Sequence, residues 1–178
     1  MKLRWPWVRR ALAQQHYERA LAFYDAGKIE MAVADLSEAI RHNHRRADLY
    51  AARGLVWAEL GEYPYAEYDF ETARRLSGGA MIAHYGLGMV AYFGARYDEA
   101  IYHFSRALER DPERAECYYF RSVCHYENAA LDQAEVDMSF ARQLLPPEDP
   151  RQLDAARWLG VYRREREKIR RRPRQRPA

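Results

Sequence analysis

Cysteine is almost absent: Cys117 and Cys124 are the only two in 178 residues. They stand seven apart in a stretch of helical periodicity, roughly 10 Å along the axis. That separation is too long for a disulfide within the chain. Both read as small buried apolar side chains, and a reducing, cytoplasmic setting is the expectation. No run of eighteen apolar residues occurs, so no membrane-spanning helix is expected. Arg9 and Arg10 interrupt what would be the apolar core of a secretory leader, so secretion is not expected. The common catalytic signatures are missing too. There is no HExxH, no glycine-rich phosphate loop and no GxSxG elbow. The six histidines are scattered, with His16 and His84 in a packing column and only His42 and His44 close enough to gather a stray ion. The residues therefore predict no catalysis, cofactor, metal or small-molecule substrate.

What the chain does have is a repeat. Residues 13–46, 47–80, 81–114 and 115–148 follow one 34-residue pattern without insertion. A period of this size marks stacked supersecondary units. The eighth position reads Ala20, Gly54, Gly88, Ser122, the twentieth Ala32, Ala66, Ala100, Ala134, and the twenty-seventh Ala39, Ala73, Ala107, Ala141. The twenty-fourth holds a bulky apolar residue each time: Leu36, Phe70, Phe104, Met138. Within a unit the apolar residues recur at helical spacing and break near the middle, at Gly27, Gly61 and Gly94-Ala95. Gly78-Gly79 and Asp111-Pro112 close units two and three, since proline cannot continue a helix. Each unit is thus expected to be a helical hairpin whose small columns let two backbones approach. A larger side chain there would overpack by roughly 1–3 kcal/mol.

This pattern resembles the tetratricopeptide repeat (TPR) family. Unit three carries the motif most fully, with Leu87-Gly88, Tyr97, Ala100, Phe104, Ala107 and Pro112. The aromatic near the start of a unit is Tyr50 or Tyr118 in two units and His16 or His84 in the others. The resemblance covers 136 of 178 residues. It implies an all-α fold: a right-handed α–α superhelix (solenoid) of four TPR-like hairpins plus a C-terminal capping helix. The expected organisation is a basic, aromatic N-terminal segment (1–12), the four repeats (13–148), a capping helix (149–172) and a basic disordered tail (173–178). Asp149-Pro150 reads as a helix start, after which Leu153, Ala156, Trp158, Leu159 and Tyr162 offer an apolar side to the last repeat. At the other end Pro6 is expected to open a helix continuous with the first repeat helix.

In such a stack the first helix of each hairpin lines the concave surface, and positions 2, 5, 9, 12 and 13 share one helical side. They bring together Tyr17, Tyr85 and Tyr119; Leu21, Leu55, Met89 and Val123; and Tyr24, Tyr92 and Tyr126. Asp25, Glu59 and Glu127 lie beside them at position 13, and Asp48 and Glu116 at position 2. The expected groove is a tyrosine-rich apolar strip with an acidic border. It suits a protein or peptide segment carrying apolar and basic residues, bound by an adaptor or scaffold. The competing reading is that these tyrosines only pack against the next hairpin. The family's carboxylate clamp, which grips the acidic C-terminus of a heat-shock chaperone, is disfavoured. The corresponding places hold Tyr17, Leu21, Leu55, Ile82 and Gly86, none of them cationic.

The net charge of +3 hides a division. The first twelve residues carry +4 and residues 149–178 carry +7, whereas the repeats hold fourteen basic against twenty-two acidic residues. Arg170, Arg171, Arg172, Arg174 and Arg176 could contact phosphate in a nucleic acid or an anionic membrane. Self-association, with one molecule's tail or end repeat on another, is the remaining alternative. The start, with Trp5 and Trp7 among cations, reads as a cap on the first repeat or as a membrane-interface segment.

Overall fold

The computed structural model describes residues 5–77 and 80–171, which form nine helices. They are α1 (Pro6–Asp25), α2 (Ile29–His42), α3 (Ala47–Glu59), α4 (Tyr63–Ser77), α5 (Met81–Phe93), α6 (Tyr97–Leu108), α7 (Ala115–Glu127), α8 (Leu131–Leu144) and α9 (Arg151–Arg171). The repeat helices α3, α5 and α7 begin 34 residues apart, as do α2, α4, α6 and α8. Each odd helix pairs with the even helix after it, each even helix packs on the next odd one, and α3, α5 and α7 also touch in succession. The chain is an all-α solenoid whose odd helices share one surface.

The small columns are the seams. Ala32, Ala66, Ala100 and Ala134 are fully buried, as are Ala39, Ala107 and Ala141. Leu36, Phe70, Phe104 and Met138 fill the space between them at 2% exposure or less. Phe70 shows why the facing positions must stay small. A Cβ built on Gly86 would lie 2.4 Å from its ring, and one on Gly54 2.9 Å. Both thiols lie in the core, and burial pushes each pKa up to about 12. Neutral thiols of this kind are poor nucleophiles.

The hairpin turns repeat as strictly as the columns. In each, the last helical carbonyls accept from a residue in left-handed conformation and from the one after it. Gly27 N–H bonds Tyr24 O and Lys28 N–H bonds Phe23 O; Ala95 and Arg96 do the same with Tyr92 and Ala91. The left-handed residues are Gly27 (φ 69°), Gly61 (76°), Ala95 (53°) and Ala129 (57°). Glycine bears no steric penalty there, whereas alanine does. Ala95→Gly is therefore expected to stabilise the chain by roughly 0.5–1 kcal/mol, net of the entropy glycine adds to the unfolded chain. A thermal melt reads this as a rise of a few degrees, and an unchanged or lower midpoint refutes it.

A buried charge ladder accompanies the apolar core. Arg53 on α3 forks onto Asp69 on α4 (Nε–Oδ2 2.7 Å, Nη2–Oδ1 2.8 Å), and its Nη1 reaches back to Ser37 on α2 at 3.0 Å. Arg121 repeats this with Asp137 and with Ser105 of the preceding hairpin. Arg19 forks onto Asp35 in the first unit, holding that carboxyl below its ordinary range. Asp35, Asp69 and Asp137 are 6%, 1% and 4% exposed. Unit three has Leu87 and His103 at these positions, and a buried His84–His103 pair (Nδ1–Nδ1 3.1 Å) stands in place of the ion pair.

The two ends differ from expectation in detail. α1 does begin at Pro6, yet Trp5 and Trp7 are 63% and 68% exposed, so they do not cap the first repeat. At the other end Asp149 accepts from the Arg151 N–H at 2.8 Å and opens α9. Ala155, Leu159 and Tyr162 bury against α7 and α8, while Leu153 is left 60% exposed and does not join that face. Residues 1–4, 78–79 and 172–178 lie outside the described residues, and with them the Gly78-Gly79 closure, Arg172, Arg174, Arg176 and the expected tail.

Candidate functional site

The positions chosen for the groove fall on α1, α3, α5 and α7, the odd helices of one surface. What they do there changes along the stack. On α7, Val123 is 5% exposed and packs with Leu159 and Tyr162, which corrects its place in an open groove. Tyr126 meets Trp158 edge-on and Tyr162 at a tilt, at centroid distances of 5.5 and 5.3 Å, and Tyr119 packs in the same cluster. The inner side of the fourth repeat is thus largely covered by α9. Its tyrosines do pack against the next helix, with Glu127 exposed at the edge.

Two other parts of the strip satisfy themselves. Arg46 lies over the Tyr17 ring, 5.4 Å from its centroid, and forks onto Asp48 (3.1 and 2.5 Å). That bonding holds the Asp48 carboxyl below its usual range. Sixty-eight residues later Arg114 covers Tyr85 at 5.4 Å and pairs with Glu116 at 3.1 Å, while Arg151 of α9 reaches the same carboxylate at 3.2 Å. Arginine stacked on tyrosine and paired with a carboxylate was the chemistry expected of a ligand. Here the chain's own arginines supply it, so Asp48 and Glu116 are engaged rather than vacant.

The junction between units two and three lacks this triad. The equivalent places hold Ala51, Ala80 and Ile82, and Ala51 packs with Ala73, Ala83 and Ile82. Beside that junction a cleft of about 400 Å³ opens, lined by Leu55, Ala58 and Glu59 of α3, Tyr63 and Phe70 of α4, and Tyr85, Gly86, Met89 and Phe93 of α5. Leu55 and Phe93 are 41% and 53% exposed. Tyr63 stacks on Phe93 at 5.3 Å and forms one wall. Gly86 leaves the room in which the Phe70 ring lies as the floor.

The rim toward the first unit is polar. Tyr24 donates its hydroxyl to Glu59 Oε2 at 2.5 Å, tying α1 to α3 across the strip. That bond raises the Tyr24 hydroxyl above its ordinary range. Leu21 and Asp25 are exposed beside it. Tyr92 faces the other way, packing on Phe93 and Phe120 at 5.3 Å each.

Of the expected residues, Leu55, Glu59, Tyr85 and Met89 are brought together in the cleft. Tyr17, Asp48 and Glu116 are held in triads, and Tyr119, Val123 and Tyr126 meet α9. Phe93 and Tyr63 belong to the cleft and were not anticipated. Phe93 had a signal, since it is the one aromatic in a column that otherwise reads Asp25, Glu59, Glu127. The basic residues of α9 are also partly engaged. Arg166 bonds Asp132 and pairs with Glu135 (2.7 Å) on α8, and Arg171 pairs with Glu167 at 2.5 Å. Arg170 is exposed at the end of α9. No described helix is long and apolar enough to cross a membrane.

The family description "Tetratricopeptide repeat" matches residues 17–80 and again 82–114, which together exceed half the chain. Among curated proteins, Hsp70-Hsp90 organizing protein 3 of Arabidopsis thaliana is 27% identical over 105 residues, 59% of this chain and 19% of that protein. The chain spans about a fifth of the length of the curated relatives it matches. Among solved structures, MamA of Desulfovibrio magneticus RS-1 is similar with a TM-score of 0.77 at 22% identity, over 87% of this chain and 85% of that one. YrrB, described as a TPR protein with an unusual peptide-binding site, gives 0.70 at 23% identity, over 85% and 76%.

Proposed function

Because the chain belongs to the tetratricopeptide repeat family, we propose that it is a protein-interaction scaffold whose ligand-binding element is the cleft between α3 and α5. The observation that carries this is the open apolar cleft at the one internal junction where the arginine–tyrosine–carboxylate triad is missing. A volume of about 400 Å³ is in the range that takes large side chains or a small ligand. The ligand proposed is an extended or helical protein segment. A bulky apolar side chain enters between Leu55, Met89 and Phe93, and a neighbouring lysine or arginine faces Glu59 and Asp25. Aromatic walls concentrate binding energy at such anchors.

The Arabidopsis relative is named for organising Hsp70 and Hsp90. Tyr17, Leu21, Leu55, Ile82 and Gly86 supply no cation for an acidic chain terminus, so the ligand proposed here is apolar and basic. Binding of phosphate by the basic ends, or self-association through them, is the alternative: Arg171 pairs with Glu167, whereas Arg170 is exposed at the end of α9.

Selection from a displayed peptide library tests this reading. The intact chain is expected to enrich peptides with a bulky apolar residue near a basic one. Leu55→Arg, at an exposed position, should weaken those peptides by roughly 30-fold or more, the loss of one anchor of about 2 kcal/mol. Circular dichroism should be unchanged. Enrichment that survives Leu55→Arg, or no enrichment, overturns the assignment.

A further inference from the structure

The outer flank of the first hairpin gathers three metal-ligating side chains that the sequence keeps 26 residues apart: His16 on α1, and Glu38 and His42 four apart on α2. One donor atom from each lies within 4.8 Å of the other two, and all three side chains are half-buried. His42 and His44 are the pair the sequence suggests; the fold places His42 beside His16 instead, with the rings 5.5 Å apart and 20° from parallel. We propose that His16, Glu38 and His42 form a binding site for a borderline divalent cation of the zinc class.

The groups behind the ligands suit that role. His16 Nδ1 lies 3.1 Å from Asp35 Oδ1, and the Asp35 carboxylate is buried and fixed by the Arg19 fork. Arg19 Nη2 also lies 3.1 Å from His16 Nδ1, but the Asp35 carboxylate oxygen can only accept, so a proton on Nδ1 is what satisfies the His16–Asp35 contact. A histidine that donates one ring nitrogen to a carboxylate has its tautomer set and its other nitrogen free for metal. Nε2 of His16 is then the donor. His42 is the last residue of α2, where the helix dipole favours a cation.

Zinc takes nitrogen and carboxylate ligands at about 2.0–2.2 Å and accepts three protein ligands with water in a fourth position. The donors must therefore close in slightly. Glu38 can turn, since its present partner Arg41 is an exposed surface pair of the kind that contributes little. Arg9 donates to the carbonyls of Arg41 and His42 and pins the end of α2 without occupying a ligand atom. Two of the ligands come from α2 and one from α1, so a bound ion fastens the first hairpin. The opposing Tyr17–Arg46–Asp48 triad fastens that hairpin to α3.

Calorimetric titration of the full chain with zinc sulfate tests the proposal. One ion per chain is expected, with a higher thermal midpoint when zinc is present. His42→Ala and Glu38→Gln should each weaken binding by at least about tenfold and remove the thermal shift. His44→Ala, and His103→Asn in the separate histidine pair, should leave both unchanged. Absence of saturable binding, or binding that persists in His42→Ala and Glu38→Gln, overturns it. Loss of binding on His44→Ala would do the same.

Discussion

Asp69→Ala is expected to destabilise the chain by about 3 kcal/mol, the lower part of the range for breaking a buried ion pair. The carboxylate is 1% exposed and accepts both arms of the Arg53 fork. Without it the guanidinium keeps only Ser37 and the Tyr50 ring, 5.9 Å from its centroid, in a setting where its side chain is 18% exposed. That residual exposure sets the figure at the low end, because water reaches part of the stranded charge. Denaturant unfolding and thermal melting both report the loss, the latter as a fall of roughly 6–12 °C for a chain of this length. Replacing both partners, Arg53→Met with Asp69→Leu, should recover most of it, since the desolvation cost vanishes along with the attraction. A loss under about 1 kcal/mol for Asp69→Ala, or a double variant as weak as the single, would show that the pair is not buried in solution as it is here.

The ladder matters beyond stability because two of its three rungs, those of Arg53 and Arg121, cross a hairpin boundary. Arg53 joins α4 of its own hairpin to Ser37 on α2 of the hairpin before. Arg121 does the same with Asp137 and Ser105. Arginine's planar fork fixes both directions at once. Units one and two are therefore locked together, as are units three and four. Between units two and three the corresponding residues are Leu87, His103 and Glu71, and no fork crosses. This is the boundary at which the tyrosine triad is also missing and the cleft opens. The 34-residue repeat carries a 68-residue alternation, and the candidate site lies where the two halves meet.

The repeat itself was legible because its signal is steric. Three columns of small residues and one of large ones admit only close-packed helices, and the register never slips. The buried charges were spelled out as plainly: arginine at Arg19, Arg53 and Arg121, aspartate sixteen later at Asp35, Asp69 and Asp137. Taken singly they look like ordinary helix-surface carboxylates, because burial of a charge depends on a partner arriving from another helix. Only their recurrence at a fixed offset distinguishes them. The groove was legible as a surface but not as a site. Position 9 reads Leu21, Leu55, Met89, Val123, four similar residues, and nothing in Val123 announces that α9 lies on it. Nor does a tyrosine reveal whether the arginine stacked on it will come from a ligand or from Arg46 and Arg114. The metal-ligating trio was hidden for the same reason, since His16 and Glu38 become neighbours only when α1 folds back on α2.

Acid should loosen the third hairpin before the others. His84 and His103 are 6% and 7% exposed, and their Nδ1 atoms share one proton across 3.1 Å. Burial, with His103 next, lowers the His84 pKa to about 4, and burial also lowers that of His103. The surrounding charges are mixed: Glu67, Glu71 and Arg74 on α4, Arg96 at the start of α6, and Glu99 and Arg106 along it. They do not supply the dedicated carboxylate that Asp35 gives His16. A group whose pKa is depressed in the fold takes up its proton more readily when unfolded. Its contribution is therefore complete above the unfolded value of about 6.5, and falls by up to about 1.4 kcal/mol per pH unit as the pH drops toward 4. The first added proton goes to the free Nε2 of the donor ring and leaves the Nδ1–Nδ1 bond in place; the second puts a proton on both Nδ1 atoms and breaks the pair. His42 and His125 are lowered as well and add to the slope, so the decisive comparison is with Leu87→Arg combined with His103→Asp. That variant writes the first unit's His–Arg–Asp arrangement into the third and gives His84 a carboxylate partner. Stability measured by urea unfolding from pH 7 to pH 4.5 should fall distinctly less steeply for the variant than for the original chain. The carboxylates held below their ordinary range, Asp35, Asp48 and Asp149, lose their contribution mainly below this window and do not blur the comparison. Parallel slopes would remove the histidine pair as the source of acid sensitivity, and a steeper slope in the variant would show that the third hairpin is built to exclude the ion pair its neighbours use.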